Sequence, residues 1–160
     1  MNQCIFSECR RYRYVLDHDD GDLFVGDKAY ACWIGLNPSI ANEEHLDPTL
    51  RRIKSFTTSF GFHRFIMLNL FALVSTDPKG MLLHPSPIGP DNDDHILRVC
   101  RDAKLIVCAW GSHGKYMNRD SKVLGLLKDF KLGCLGITGN GSPMHPLYLS
   151  GESELRDYPL

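Results

Sequence analysis

The sequence predicts an α/β fold: a three-layer α/β/α sandwich on a central, mostly parallel four-stranded sheet, with an N-terminal hairpin. Three observations carry that expectation. Four short runs, at 30–36, 65–71, 104–110 and 132–137, are apolar nearly throughout, the pattern of strands buried on both faces. Segments with one apolar stripe at helical spacing lie between them. The chain has 160 residues, 43% hydrophobic and 23% charged, which is the size and composition of one globular domain. Strand–helix alternation of this kind builds βαβ units.

Taken in order, residues 11–16 and 22–25 are expected to pair as a hairpin around Asp19-Asp20-Gly21. The first parallel strand follows at 30–36. A helix over 48–60 sets Leu50, Ile53, Phe56 and Phe60 on one stripe, with Pro48 in its first turn. The second strand is 65–71. Segment 75–90 is proline-rich and reads as a long loop that lines or supports a site. A helix over 94–103 carries Ile96, Cys100 and Ala103, then comes the strand at 104–110. A helix over 121–130 carries Val123, Leu127 and Phe130, and 132–137 closes the set. No internal repeat or linker divides the chain, so 1–160 is expected to form one domain.

No apolar run approaches the ~20 residues that span a bilayer. The first residues lack the apolar stretch and cleavage site of a secretory signal, so a cytoplasmic protein with no membrane partner is expected. Cys32, Cys108 and Cys134 sit inside apolar runs as small hydrophobes, and no C-x-x-C pair occurs. An iron–sulfur cluster on Cys4, Cys9, Cys100 and Cys108 is the less favoured reading of the others. The formal net charge of −1 argues mildly against nucleic acid, although local clustering matters more. Basic residues cluster at Arg10, Arg11 and Arg13, at Arg51, Arg52 and Lys54, and at Lys115, Arg119 and Lys122. Any one cluster reads most simply as a solvated face.

Ligands of open α/β sheets sit beyond the carboxyl ends of the strands. Here those ends read Gly35-Leu36-Asn37-Pro38-Ser39, Leu68-Asn69-Leu70-Phe71, Trp110-Gly111-Ser112-His113-Gly114, and Thr138-Gly139-Asn140-Gly141-Ser142-Pro143-Met144-His145-Pro146. Ordinary turn chemistry explains any one of them, but less well all four. Familiar motifs fail. Pro38 stands where a dinucleotide fingerprint needs backbone amides. Gly111-Ser112-His113-Gly114-Lys115-Tyr116 is too short for a P-loop and has Tyr where a hydroxyl should meet magnesium. No G-x-S-x-G elbow and no H-E-x-x-H is present, and the seven histidines are dispersed, so no metal is expected. A polar pocket with neither nucleophile nor metal suits a reaction in which protein positions water and stabilises developing charge. Hydrolysis of an N-glycosidic bond is one such reaction.

Over residues 30–150 these segments resemble, in order, the motifs of the uracil-DNA glycosylase superfamily. Gly35-Leu36-Asn37-Pro38 resembles the turn whose acid or amide handles water, and Leu68-Asn69-Leu70 the strand whose asparagine reads a flipped pyrimidine. Cys108-Ala109-Trp110-Gly111 resembles the third-strand ending, and Met144-His145-Pro146-Leu147-Tyr148 the last motif. Asp47-Pro48-Thr49, Asn69-Leu70-Phe71-Ala72 and Ile88-Gly89-Pro90-Asp91-Asn92-Asp93 further resemble a bacterial and phage branch that includes phage-defence glycosylases acting on hypermodified bases.

The resemblance implies a monomeric, monofunctional DNA glycosylase without cofactor. It would flip a modified or damaged pyrimidine from double-stranded DNA and leave an abasic site. No lysine is placed for a lyase step. Asn37 would hold the water, His145 would donate to the departing base, and Asp47 would face the cationic sugar. Asn69 would read the base, with Gly35, Leu36, Pro38, Phe71 and Asn92 around it. Ser39, Arg51, Arg52, Lys115, Asn140 and Ser142 would contact DNA phosphates. Pro146, Leu147 and Tyr148 would fill the space the nucleotide leaves. Gly35, Gly139 and Gly141 would leave room for a bulky substituent, such as that of glucosylated hydroxymethylcytosine.

Plainer readings stand beside these roles. Asn37 also suits an Asx-turn, Asn69 a buried amide tying strand ends, His145 a surface residue before proline, and Trp110 a core position. Asp47 reads better as a helix N-cap, and Asn92 and Asp93 suit a helix start. Asn37 departs from the aspartate of the uracil-specific enzymes: an amide orients water but cannot take its proton. His84-Pro85 falls too early in the chain to be the His-Pro match. A non-catalytic reader of modified DNA and an N-glycosidase of free nucleosides or nucleotides remain the alternatives.

Overall fold

The computed structural model describes residues 2–21, 28–39 and 44–159. Among these residues seven strands form one mixed sheet: β1 (Asn2–Phe6), β2 (Arg13–Asp19), β3 (Ala31–Gly35), β4 (Arg64–Asn69), β5 (Leu105–Cys108), β6 (Gly133–Cys134) and β7 (Arg156–Asp157), in the order β1-β2-β4-β3-β5-β6-β7. The central four, β4-β3-β5-β6, are parallel, and they are the four apolar runs. The edges are antiparallel, β1–β2–β4 on one side and β6–β7 on the other. Four central strands and a hairpin were expected, so β7 is an addition. β2 pairs with the preceding β1, and the hairpin partner expected at 22–25 lies outside the described residues.

Side chains alternate across β3. Trp33 joins Leu16, Met67 and Val107 under α1 (Pro48–Ser59), which buries Leu50, Ile53 and Phe56 there. Cys32 and Ile34 face the other way, against Ile96, Val99 and Cys100 of α3 (Asn92–Asp102) and Val123 of α4 (Arg119–Leu126). The start of α1 is fixed by chemistry the sequence shows. Asp47 Oδ1 accepts from Leu50 N at 2.8 Å, and Pro48 fills the first turn. The 75–90 stretch is not wholly irregular: α2 (Pro78–Leu83) forms within it, capped by Asp77, with Met81 its one buried residue. One buried side chain leaves no periodicity to read.

Among the described residues no helix is long and apolar enough to cross a membrane. Cys32, Cys100, Cys108 and Cys134 are buried, Cys4 is half-buried and Cys9 exposed. No group of three or more His, Cys, Asp or Glu among the described residues could hold a metal ion.

Candidate functional site

The carboxyl ends of β3, β4 and β5 and the 138–148 segment enclose a cleft of about 630 Å³. Its walls are built from backbone outward. Beyond β3 the chain stays bonded to the segment after β4: Leu70 N donates to Gly35 O, Phe71 N to Leu36 O, and Ser75 N to Pro38 O, each at 2.9 Å. Asn37 is held inside that ladder. Its Nδ2 donates to Ser75 O at 2.9 Å and to Pro38 O at 3.1 Å. Two carbonyls as partners fix which way the amide faces, because only the NH₂ can donate. Oδ1 is therefore the acceptor that remains, and no described residue donates to it.

Asn69 ends β4 opposite Gly35 in the register. It is 2% exposed, lines the cleft, and its side-chain amide has no hydrogen bond with any described residue. A buried amide ordinarily finds a partner within the protein. This one opens onto the cleft, where a ligand can supply it.

His145 enters from the opposite wall. Gly111 N donates to Pro143 O and Met144 N to Gly136 O, both at 2.9 Å, which pins the segment to the ends of β5 and β6. His145 caps a short 3-10 turn over Pro146–Tyr148, its Nδ1 accepting from Leu147 N at 3.3 Å. An accepting Nδ1 leaves the neutral ring's proton on Nε2, making that nitrogen a donor. Burial pulls the imidazole below its ordinary pKa of 6.5, and the nearby Asp47 carboxylate partly opposes the shift. At neutral pH the ring is uncharged.

Asp47 is the helix N-cap of its plainer reading, and it also lies in the cleft wall. It caps α1 through Oδ1 while Oδ2 accepts from Ser39 Oγ at 2.9 Å, and both residues line the cleft. Leu36, Gly35, Pro146, Leu147 and Tyr148 also line it, and Tyr148 stands 82% exposed at the mouth. Trp110 lines it too, but as a core residue at 1% exposure.

Other expected residues lie elsewhere. Pro38 is buried beside the cleft without lining it. Phe71 is wholly buried, its ring against Tyr116. Asn92 starts α3, its Nδ2 donating to Asn69 O at 2.9 Å and Leu70 O at 3.1 Å; it ties strand to helix beneath Asn69. Arg51 is exposed on α1, and Arg52 donates to Leu149 O, bracing the segment after the 3-10 turn. Lys115 lies 3.7 Å from Asp120. Asn140 Oδ1 accepts from Ser112 Oγ, Thr138 Oγ1 and Ser142 N, and Ser142 is buried, so both stabilise the loop. Gly139 and Gly141 do not line the cleft, and His84 does not either.

Arg13 and Met144 line the cleft without having been singled out as site residues, whereas Ser75, Thr76 and Pro78 come from the 75–90 segment expected to line or support a site. The position of 75–90 after the second strand pointed to Ser75 and Thr76. Arg13 gave no signal beyond an ordinary basic cluster.

The fold is that of an α/β protein with a cleft at the carboxyl edge of its parallel strands, where ligands of open α/β sheets sit. Residues 13–147 match the model of a family described as of unknown function, DUF1643, and the chain belongs to that family. That span takes in every described residue lining the cleft except Tyr148. Neither the curated proteins nor the solved structures contain a match to this chain.

Proposed function

We propose that this protein is a monofunctional DNA glycosylase that extrudes a modified or damaged pyrimidine into the cleft and hydrolyses its N-glycosidic bond. The observation that carries the reading is the convergence of Asn37, Asn69 and His145 on one cleft, with the Asn69 amide unpartnered. We further read the fold as the three-layer sandwich of the uracil-DNA glycosylase superfamily; apolar clusters on both sheet faces support it.

Asn69 pairs with the edge of the extruded base, as an amide does with a donor–acceptor pair. Asn37 Oδ1 accepts a hydrogen from a water beneath the anomeric carbon. The C1′–N bond breaks with its electron pair leaving on the base, and the sugar becomes oxocarbenium-like. Asp47 provides a carboxylate for that positive charge. His145 Nε2–H donates to the oxygen gathering charge on the base. Water oxygen bonds to C1′, and the proton it sheds ends on the departing base. Asn37 orients this water without taking the proton, so the leaving group must be a good one. Leu147 and Tyr148, exposed at the mouth, occupy the gap in the duplex.

Free nucleosides or nucleotides are a second reading, favoured by one observation. Arg51, Arg52 and Lys115, the cations offered to DNA, all lie outside the cleft lining. One experiment separates these readings. The protein is incubated with duplexes carrying uracil, hydroxymethylcytosine or its glucosylated form, and with the matching nucleosides. Released base is then identified by mass spectrometry. Release from duplex that falls steeply with salt supports the glycosylase. Release from nucleosides alone supports the second reading. No release from either, by folded protein, overturns both and leaves a non-catalytic reader.

A further inference from the structure

Arg119 belongs to the basic cluster of Lys115, Arg119 and Lys122 that reads as a solvated face, yet it is 1% exposed. It starts α4 and reaches the end of β4. Its Nε donates to Leu70 O at 2.7 Å, and its Nη2 donates to Asp93 Oδ1 on α3. Asn92, wholly buried beside Asp93 in the chain, donates to both Asn69 O and Leu70 O. Leu70 O therefore takes two side-chain donors. These bonds lie beyond the point where strand pairing stops: β2 pairs with β4 only as far as Leu16 opposite Met67. Toward β3, Leu70 N and Phe71 N donate to Gly35 O and Leu36 O. The two peptide groups that follow Asn69 are held at both ends, by carbonyls beside them and by side chains from α3 and α4.

Stability does not account for this arrangement. Among the described residues, Arg119 Nη1 and Asn92 Oδ1 are buried without a hydrogen-bond partner. Each such group gives up the water it would bond in the unfolded chain. The Arg119 side chain is fully buried, whereas its partner Asp93 is 32% exposed, so the guanidinium is desolvated against a carboxylate that still meets water. Apolar side chains in place of a buried ion pair commonly give equal or greater stability. What these polar groups achieve, and apolar ones would not, is the placement of two particular carbonyls. Those carbonyls belong to Asn69, whose buried amide opens onto the cleft, and to the residue after it.

We propose that Arg119 and Asn92 are positioning residues: by fixing the peptide groups after Asn69 they set the direction from which its amide meets a ligand. Neither lines the cleft, so neither touches that ligand. Asp93 anchors the far end of the Arg119 guanidinium. The proposal rests on the reading above only in calling the ligand a base.

Arg119→Met tests it, because Leu70 O keeps its Asn92 donor and Asp93 keeps its access to water. Asn92→Ser takes its place if that chain does not fold, and failure of both to fold overturns the proposal by making the bonds structural. NMR of the full chain follows the side-chain amide resonances of Asn69, identified by their loss in Asn69→Ala, with those of Asn140 as the control for a general disturbance. The expected result is a displaced or broadened Asn69 pair beside an unchanged Asn140 pair. An unmoved Asn69 pair, or movement of both pairs together, overturns the proposal. Single-turnover base release gives a second readout. Arg119→Met should slow release about tenfold or more in the wild-type background and less than about twofold in Asn69→Ala, where nothing is left to position. Equal slowing in both backgrounds overturns the proposal. The two ideas fail separately. A displaced Asn69 amide in a protein whose wild type releases no base overturns the glycosylase alone, and release by the wild type with the Asn69 amide unmoved in the variant overturns the positioning alone.

Discussion

Gly35 and Asn69 sit opposite each other on adjoining parallel strands, and a Cβ on Gly35 would stand 3.0 Å from Asn69 Oδ1. The same Cβ would overlap Met67 Cε. Gly35 thus keeps open the space from which the Asn69 amide addresses the cleft.

Gly35→Ala is expected to cost about 1–3 kcal/mol, the usual range for overpacking a filled site. Met67 ends in a flexible thioether and gives way. Asn69 is displaced from its position toward the cleft, so base release falls while the protein still folds. Gly139→Ala is the control, since nothing lies within 4 Å of its added Cβ. It should change stability by no more than about 0.5 kcal/mol. Thermal melts and release assays on both variants check this.

Asp47 separates a structural role from an electrostatic one. Asp47→Asn keeps a good N-cap for α1, so the melting temperature should hold, whereas Asp47→Ala should lose about 1 kcal/mol. Asp47 raises the pKa of His145 against the effect of burial. Removing its charge should therefore move the His145 titration further down, read by NMR of the ring protons. An unmoved titration would remove Asp47 from the electrostatics of the site.

His145 makes a signed pH prediction. Its folded-state pKa lies below its ordinary value of 6.5, so the folded state binds that proton less readily than the unfolded chain. The stability it contributes is complete above 6.5 and is lost as pH falls from there through the lowered value. Protonation also places a hydrogen on Nδ1 facing Leu147 N–H, which breaks the cap. The rate should be flat from neutral to mildly alkaline pH, with an acid limb below 6.5 that is absent in His145→Gln. A limb at or above that value would contradict a half-buried neutral donor.

Arg51 and Arg52 should behave differently although they are neighbours. Arg52 donates to Leu149 O and lies over the Phe56 ring, so Arg52→Ala should lower stability by about 1–3 kcal/mol. Arg51 is exposed. If it meets a phosphate, Arg51→Ala should leave stability unchanged and reduce the slope of log K against log salt by about 0.9. Salt-series binding to duplex DNA measures this.

The central sheet was legible because strands buried on both faces read as continuous apolar runs. Asp47-Pro48 likewise announced the start of α1. The edges were not legible: β1 is a short strand of mixed polarity, and β7 has two residues. Hydrophobic pattern says nothing reliable at that length. Strand-end residues were found because topology alone places them at one edge, which brought Asn37, Asn69 and His145 to one cleft. Individual polar residues were harder. Asn92 was expected around the base, and Arg52 and Ser142 at DNA phosphates, but Asn92 and Arg52 bond backbone carbonyls and Ser142 is buried in loop structure.

Single-turnover base release from duplex DNA is the most direct measurement of the account. Wild-type protein should free one base and leave an intact strand with an abasic site. Asn37→Ala and His145→Ala should each slow that step by about 10²–10³-fold while duplex affinity holds. Folded wild-type protein that frees no base from any modified duplex, or variants that free it at the wild-type rate, would contradict the assignment.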